Sequence, residues 1–461
     1  MRAVIIALVV LVAACGGDDA KLPIETLQDP STCQECHPRH YQQWSGSMHA
    51  YASDDPVFVA MNARGQTETQ NQLGTFCVKC HAPMAVQLGL TDGTSFDPAQ
   101  LPATARGVTC YFCHNVASVA DTHNNGLVLA MDDTMRGGLK DPVDSPAHHG
   151  SYDPLMDGDT NNSEMCGSCH DIVTPKQVEL ERTFLEWQTT FFTQPDPTHH
   201  LTCSTCHMVS STGVVADNAS LSVPQRNFGV HDHTFPAIDQ ALTPFPEQDA
   251  MAEAINTELR GAVAIVGPAP PGSNVPTGGI CVVPVDGGVV TVRMDTILVG
   301  HAWPSGSSQD RRAWLEVKMF DASNNLLLES GNVPDGMDPE DLTDPNLVGI
   351  WDRTFDDAGQ PAEMFWQVAR HDASSLLRPP VTLDKNSPAF DHSFTKTFNA
   401  SAFFDQLDHI TARVRIRPLS FKLLHDLGLD ALAPNLKTLD IEASTKTWSK
   451  SSQKNNCNFP P

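Results

Sequence analysis

Apolar positions along this chain fall into two textures, and the change between them comes near residue 266. Before it, apolar residues come in short clusters broken by Gly, Pro, Asp and Asn. Stretches such as 90–102 and 153–163 show no sustained period and read as loops. Two segments there suggest helices. Val178, Phe184, Leu185 and Trp187 fall roughly on one face of a helix over 175–192, and a second is expected over 247–263. Beyond the Gly/Pro-rich run 267–272 the texture becomes that of strands. Residues 289–294 and 314–320 read as strands, 321–325 as a hairpin leading into 326–329, and 410–416 alternates apolar and polar side chains. A helix near 421–432 would cap them. The expectation is a multidomain α+β chain, mainly helical and irregular over 31–265, with an antiparallel β-sandwich over 266–461.

The N-terminus reads as a targeting segment. Arg2 precedes an apolar run over 3–14 that ends Val12-Ala13-Ala14-Cys15. Small residues before a cysteine resemble a bacterial lipoprotein box, which implies that 1–14 is a signal peptide and that Cys15 is lipidated. Residues 15–30, opening Gly16-Gly17-Asp18-Asp19, then form a flexible tether. No later stretch approaches the roughly 18 apolar residues of a spanning helix. The chain is therefore expected outside the cytoplasm, in the periplasm or at the cell surface, with the outer membrane favoured over the inner. Its only membrane contact would be the lipid.

Charge narrows the partners. With 29 Lys+Arg against 55 Asp+Glu, the 461 residues carry a formal charge of −26. Such a surface repels nucleic acid and favours proteins with basic docking patches.

The chemistry is concentrated in one pattern. Cys33-Gln-Glu-Cys36-His37, Cys77-Val-Lys-Cys80-His81, Cys110-Tyr-Phe-Cys113-His114, Cys166-Gly-Ser-Cys169-His170 and Cys203-Ser-Thr-Cys206-His207 share the form Cys-x-x-Cys-His. Two thiols at this spacing reach the two vinyl groups of one porphyrin, and the adjacent imidazole becomes the proximal ligand of its iron. Zinc sites do not require His after every second Cys, and closed four-residue disulfide loops make poor staples. The reading is five heme c groups, held by ten cysteines, with His37, His81, His114, His170 and His207 on the irons. Cys281 and Cys457 remain, and an oxidising compartment would allow them to pair.

The run from Cys33 through Trp44-Ser-Gly-Ser47-Met48-His49-Ala50 resembles the opening of multiheme cytochromes related to the tetraheme cytochrome c of ammonia oxidisers. Arg106-Gly107-Val108 before Cys110, Met165 before Cys166 and Met208 after His207 fit the same pattern, over about residues 30–235. The resemblance implies distal ligands at His49, at His148 or its neighbour His149, and at His233. Gly300-His301-Ala302-Trp303-Pro304-Ser305-Gly306 is similar to a signature of β domains appended to such cytochromes, and implies that His301 reaches back to a heme. For the fifth distal ligand His199, His200 and His123 compete, with His199 preferred. His40, His371, His392, His409 and His425 read as ordinary surface or core residues.

The expected function is electron transfer between exposed hemes, the chemistry being the cofactor's and the spacing the protein's. An alternative is an oxidoreductase acting on nitrite or hydroxylamine at one five-coordinate heme, although the Cys-x-x-Cys-Lys form associated with heme nitrite reductases is absent. A third reading is a structural subunit of a heme filament, which would need a distal histidine from the next subunit.

Overall fold

A computed structural model of the chain describes residues 21–158, 161–194, 198–217, 221–267, 279–296 and 298–451. The expected signal peptide, Cys15, most of the Gly/Pro run and Cys457 lie outside these residues. Cys281 is disulfide-bonded. No helix among the described residues is long and apolar enough to cross a membrane.

The strand-rich part runs from β1 (Ala264–Ile265), β2 (Ile280–Val283) and β3 (Val289–Asp295) to β4 (Arg312–Asp321) and β5 (Leu326–Ser330). It continues through β6 (Val348–Ile350), β7 (Phe394–Asn399), β8 (Leu407–Arg417) and β9 (Leu439–Asp440) to β10 (Lys446–Ser449). One antiparallel sheet has the order β2-β3-β7, with β1 also on β3. The other has the order β5-β4-β8-β9, with β6 on β4 and β10 on β8. Val290 opposes Phe398 in the first, and Leu315 opposes Val414 in the second. Val290, Val292 and Met294 from β3 share one buried cluster with Leu315, Val317 and Met319 from β4 and Ile410, Val414 and Ile416 from β8. Alternation puts these side chains on the inner faces, as expected for two packed sheets.

The helix expected over 247–263 is present as Gln248–Leu259. Its stripe of Met251, Ile255 and Leu259 packs into the same cluster as the sheets, together with Ile238, Val263 and Ile265. Residues grouped by sequence with the first part thus contribute to the core of the second. At the other end, helix Phe421–Asp426 is shorter than expected, and a 3₁₀ segment Asp430–Asn435 follows.

Two expectations are corrected. The segment 175–192 is not one helix. Gln177 has φ 62°, outside the helical region, and Glu179–Glu181 pairs as a strand with Ile172–Val173. Only Thr183–Gln188 is helical before the 3₁₀ turn Phe191–Thr193. Residues 21–30, expected within the flexible tether, are instead docked. Lys21 Nζ donates to Asp144 at 2.9 Å and to the Ser145 carbonyl at 2.6 Å, Leu22 N–H donates to the Ala147 carbonyl at 2.9 Å, and Leu27 is buried.

Candidate functional site

The Cys-x-x-Cys-His strings sit on single helical turns. Cys110–His114 is capped by Thr109, whose hydroxyl accepts from Phe112 N–H at 3.2 Å. Cys203–His207 has a capping box between Thr202 and Thr205, and Val78–His81 carries the second string. The first string follows helix Pro30–Cys33, and the fourth overlaps Ser163–Gly167. Residues three apart on a turn share a side, so each pair of thiols projects together. All ten cysteines and all five following histidines line one continuous cavity of about 1630 Å³.

Six further histidines line it too, His40 and His231 among them, and the other four are each set against one of the five. His37 and His148 have ring centroids 6.4 Å apart, and His49 and His170 6.0 Å. His114 and His233 are 6.3 Å apart, as are His207 and His301. A centroid separation of this size leaves about 2 Å from each ring edge to the midpoint, the length of a metal–imidazole bond. His81 differs: Phe58 lies flat against it, at 4.2 Å and 3°.

Backbone carbonyls orient most of these rings. Nδ1 of His37 lies 2.6 Å from Val215 O, that of His81 3.2 Å from Ala52 O, that of His114 2.6 Å from Arg136 O, and that of His207 2.8 Å from Pro236 O. His148, His233 and His301 make equivalent bonds to the carbonyls of His149, His231 and Ala302 at 3.0, 3.0 and 2.8 Å. A ring that donates from Nδ1 to a carbonyl keeps its Nε2 lone pair for a metal. Burial also holds most of these rings neutral. It depresses His49 to about 3 and His81 and His301 to about 4, and lowers His37, His114, His148, His170 and His233.

Contacts between strings give their order in space. The Cys33 sulfur lies within hydrogen-bonding reach of Cys110, that of Cys80 of Cys169, and that of Cys166 of Cys203. Cys113 lies within electrostatic reach of Cys166 and Cys169. Strings one and three are therefore neighbours, while string four touches two, three and five.

Local structure explains how the distant histidines arrive. Helix Met48–Tyr51 starts at Ser47, whose hydroxyl accepts from Ala50 N–H, and the His49 carbonyl takes Val108 N–H at 2.8 Å. Gly107, at φ 61°, is required there because a Cβ would sit 2.5 Å from the Ala50 carbonyl oxygen. His233 is held through its N–H by Gln43 at 3.2 Å.

The remaining candidates are placed elsewhere. His199 has Phe191 as its neighbouring ring at 6.2 Å, and His200 has Trp187 at 6.4 Å. His123 pairs with Asp121 at 2.6 Å, and His149 with Asp144 at 3.2 Å. None of these four lines the cavity. Sequence reasoning missed Phe58 and the orienting carbonyls. A carbonyl has no residue signature, and an apolar residue in a helix reads as core. Among the described residues, no group of three or more His, Cys, Asp or Glu side chains is arranged to hold a bare metal ion.

Residues 32–115 match the family model described as cytochrome c554 and c-prime. No curated relative matches the sequence. The fold is similar to the crystal structure of a penta-heme cytochrome c552 from Thermochromatium tepidum, with a TM-score of 0.59 and 18% identity over 90% of this chain and 97% of that one. The matched segment holds the first three of the five Cys-x-x-Cys-His strings, so the similarity to multiheme c-type cytochromes, which supports heme-based electron transfer, rests on residues 32–115.

Proposed function

We propose that the chain carries five c-type hemes, one on each string, and relays electrons among them outside the cytoplasm from a lipid anchor at Cys15. The observation that carries this reading is the set of four imidazole pairs at the spacing of one bridging metal, His37–His148, His49–His170, His114–His233 and His207–His301. Heme iron supplies a one-electron Fe(III)/Fe(II) couple when bound. The residues do the rest: thiols would fix each macrocycle, backbone carbonyls aim most of the imidazoles, and burial keeps most of them neutral. Adjacent thiols imply a branched relay in which string four is the junction, joined to two, to five, and through three to one. Two axial imidazoles favour low potentials over small-molecule binding. The charge of −26 supports redox partners with basic docking patches, whose association slows as salt rises.

A second reading concerns string two. The ring packed on His81 is Phe58, and none of the four imidazole pairs includes His81. An iron there with one open axial position could take nitrite or hydroxylamine.

Heme content by pyridine hemochrome and low-temperature EPR on the air-oxidised protein test both. Five hemes per chain with four low-spin irons support the relay, and one high-spin iron that responds to nitrite or hydroxylamine supports the second reading. Fewer than five hemes, or high-spin iron at several sites, would defeat the proposal. A mass increase at Cys15 in membrane-extracted protein checks the anchor.

A further inference from the structure

His301 comes from the strand-rich part, yet its ring is set against His207, and something must hold the two sides in register. The short helix Thr183–Gln188 touches both. Trp187 Nε1 donates to the Leu201 carbonyl at 2.9 Å, two residues before Cys203. From the same turn, Glu186 Oε2 accepts from Ala302 N–H at 3.1 Å and from the Ser305 hydroxyl at 2.6 Å. Thr183, one turn earlier, completes the bracket: its hydroxyl lies 2.7 Å from that of Ser305 and accepts from Gly306 N–H at 3.0 Å.

One carboxylate oxygen therefore fixes the peptide that follows His301 and the far end of its loop. The Ala302 residue pinned by this bond also offers the carbonyl that takes Nδ1–H of His301 at 2.8 Å, so its placement sets the ring. The loop also passes close to this helix, a Cβ at Gly300 coming within van der Waals contact of Trp187 and Phe192 at 3.4 Å. Charge-assisted bonds from a carboxylate to a backbone N–H and a hydroxyl are the strong kind, and groups behind a metal ligand govern how well it is aimed.

We propose that Glu186 is a positioning residue for the axial histidine of the fifth string, holding His301 opposite His207. This rests on the reading of His207 and His301 as the two ligands of one iron.

The test is the spin state of the air-oxidised holoprotein, read by low-temperature EPR, with heme content measured in parallel. His301→Ala should add one high-spin iron per chain. Glu186→Ala should produce the same signal, returned to low spin by added imidazole. Glu186→Gln, whose amide oxygen can accept both bonds, should keep the wild-type count. A wild-type spin count in Glu186→Ala overturns the proposal while leaving His301 as ligand. An unchanged count in His301→Ala instead removes the underlying reading, and the proposal with it. Should Glu186→Ala give no holoprotein, Thr183→Val and Ser305→Ala each remove part of the bracket. A wild-type count in both would overturn the proposal.

Discussion

Replacing His148 by Ala isolates one axial position with little cost to the fold. The residue sits in an irregular loop tied to the N-terminus by Lys21 and Leu22, so its anchoring does not depend on its own ring. The ring makes one bond, to the His149 carbonyl at 3.0 Å, and its loss is worth about 1 kcal/mol. The functional loss should be far larger: at a separation of 6.4 Å from His37, His148 would be the second imidazole on one iron under the proposed reading. Its neighbour His149 points elsewhere, with Nδ1 3.2 Å from Asp144 and Nε2 4.0 Å from Asp133. The expectation is that His148→Ala converts one low-spin iron per chain to high spin, counted by EPR, and that added imidazole restores it. His149→Ala should leave the count unchanged. The reverse result, with His149→Ala opening an iron and His148→Ala silent, would refute the use of ring spacing to choose between the two.

Other expectations follow from the same contacts. Phe58 is 6% exposed and packs on both His81 and Phe96, so Phe58→Ala should destabilise the holoprotein by about 3–5 kcal/mol in guanidinium titrations. Asp338 holds the buried Arg417 at 2.9 Å and also accepts from the N–H groups of Phe421 and Lys422. Asp338→Ala should cost about 3–5 kcal/mol, and the double variant with Arg417→Met should recover part of it, because the single change strands a buried charge. Burial raises Asp310 from 3.8 to about 7. Between those values the folded chain keeps a proton that the unfolded chain has lost, so this group's contribution to stability falls as pH rises through that window and levels off above it. Asp310→Asn should flatten that slope in urea midpoints measured across the range.

The strand-rich part was largely legible because its signal is local and dense. The alternation at 410–416 sits within β8 (Leu407–Arg417), and the apolar run 314–320 within β4 (Arg312–Asp321). The false helix over 175–192 shows the opposite condition. Val178 and Phe184 have helical spacing, but they belong to different elements, because Gln177 turns the chain and Glu179–Glu181 pairs back onto Ile172–Val173. A four-residue stripe cannot outvote a turn when the segment is too short to nucleate a helix by itself. The assignment of 247–263 to the first part failed to anticipate its packing for a related reason. Sequence shows that Met251, Ile255 and Leu259 form a face, but not which neighbouring core that face joins.

The site divides along the same line between local and distant information. A Cys-x-x-Cys-His string is complete within five residues, so attachment and the proximal imidazole could be read directly. The opposing imidazole is a matter of topology. His49, His148, His233 and His301 came from family resemblance, and their spacing to His170, His37, His114 and His207 emerges only once the chain is folded. His199, preferred among three competing candidates, ends beside Phe191, while the ring against His207 comes from a loop nearly a hundred residues further on. Glu186 lies beyond both kinds of signal. Nothing around it in the sequence marks it, and its meaning depends on a loop more than a hundred residues away that must be set against a string already placed by Trp187. Ligand identity can thus follow short motifs, whereas ligand aim follows contacts between parts of the chain that have no local code. For that reason the spin state at string five, rather than its heme content, should be the property most sensitive to substitutions outside the motifs.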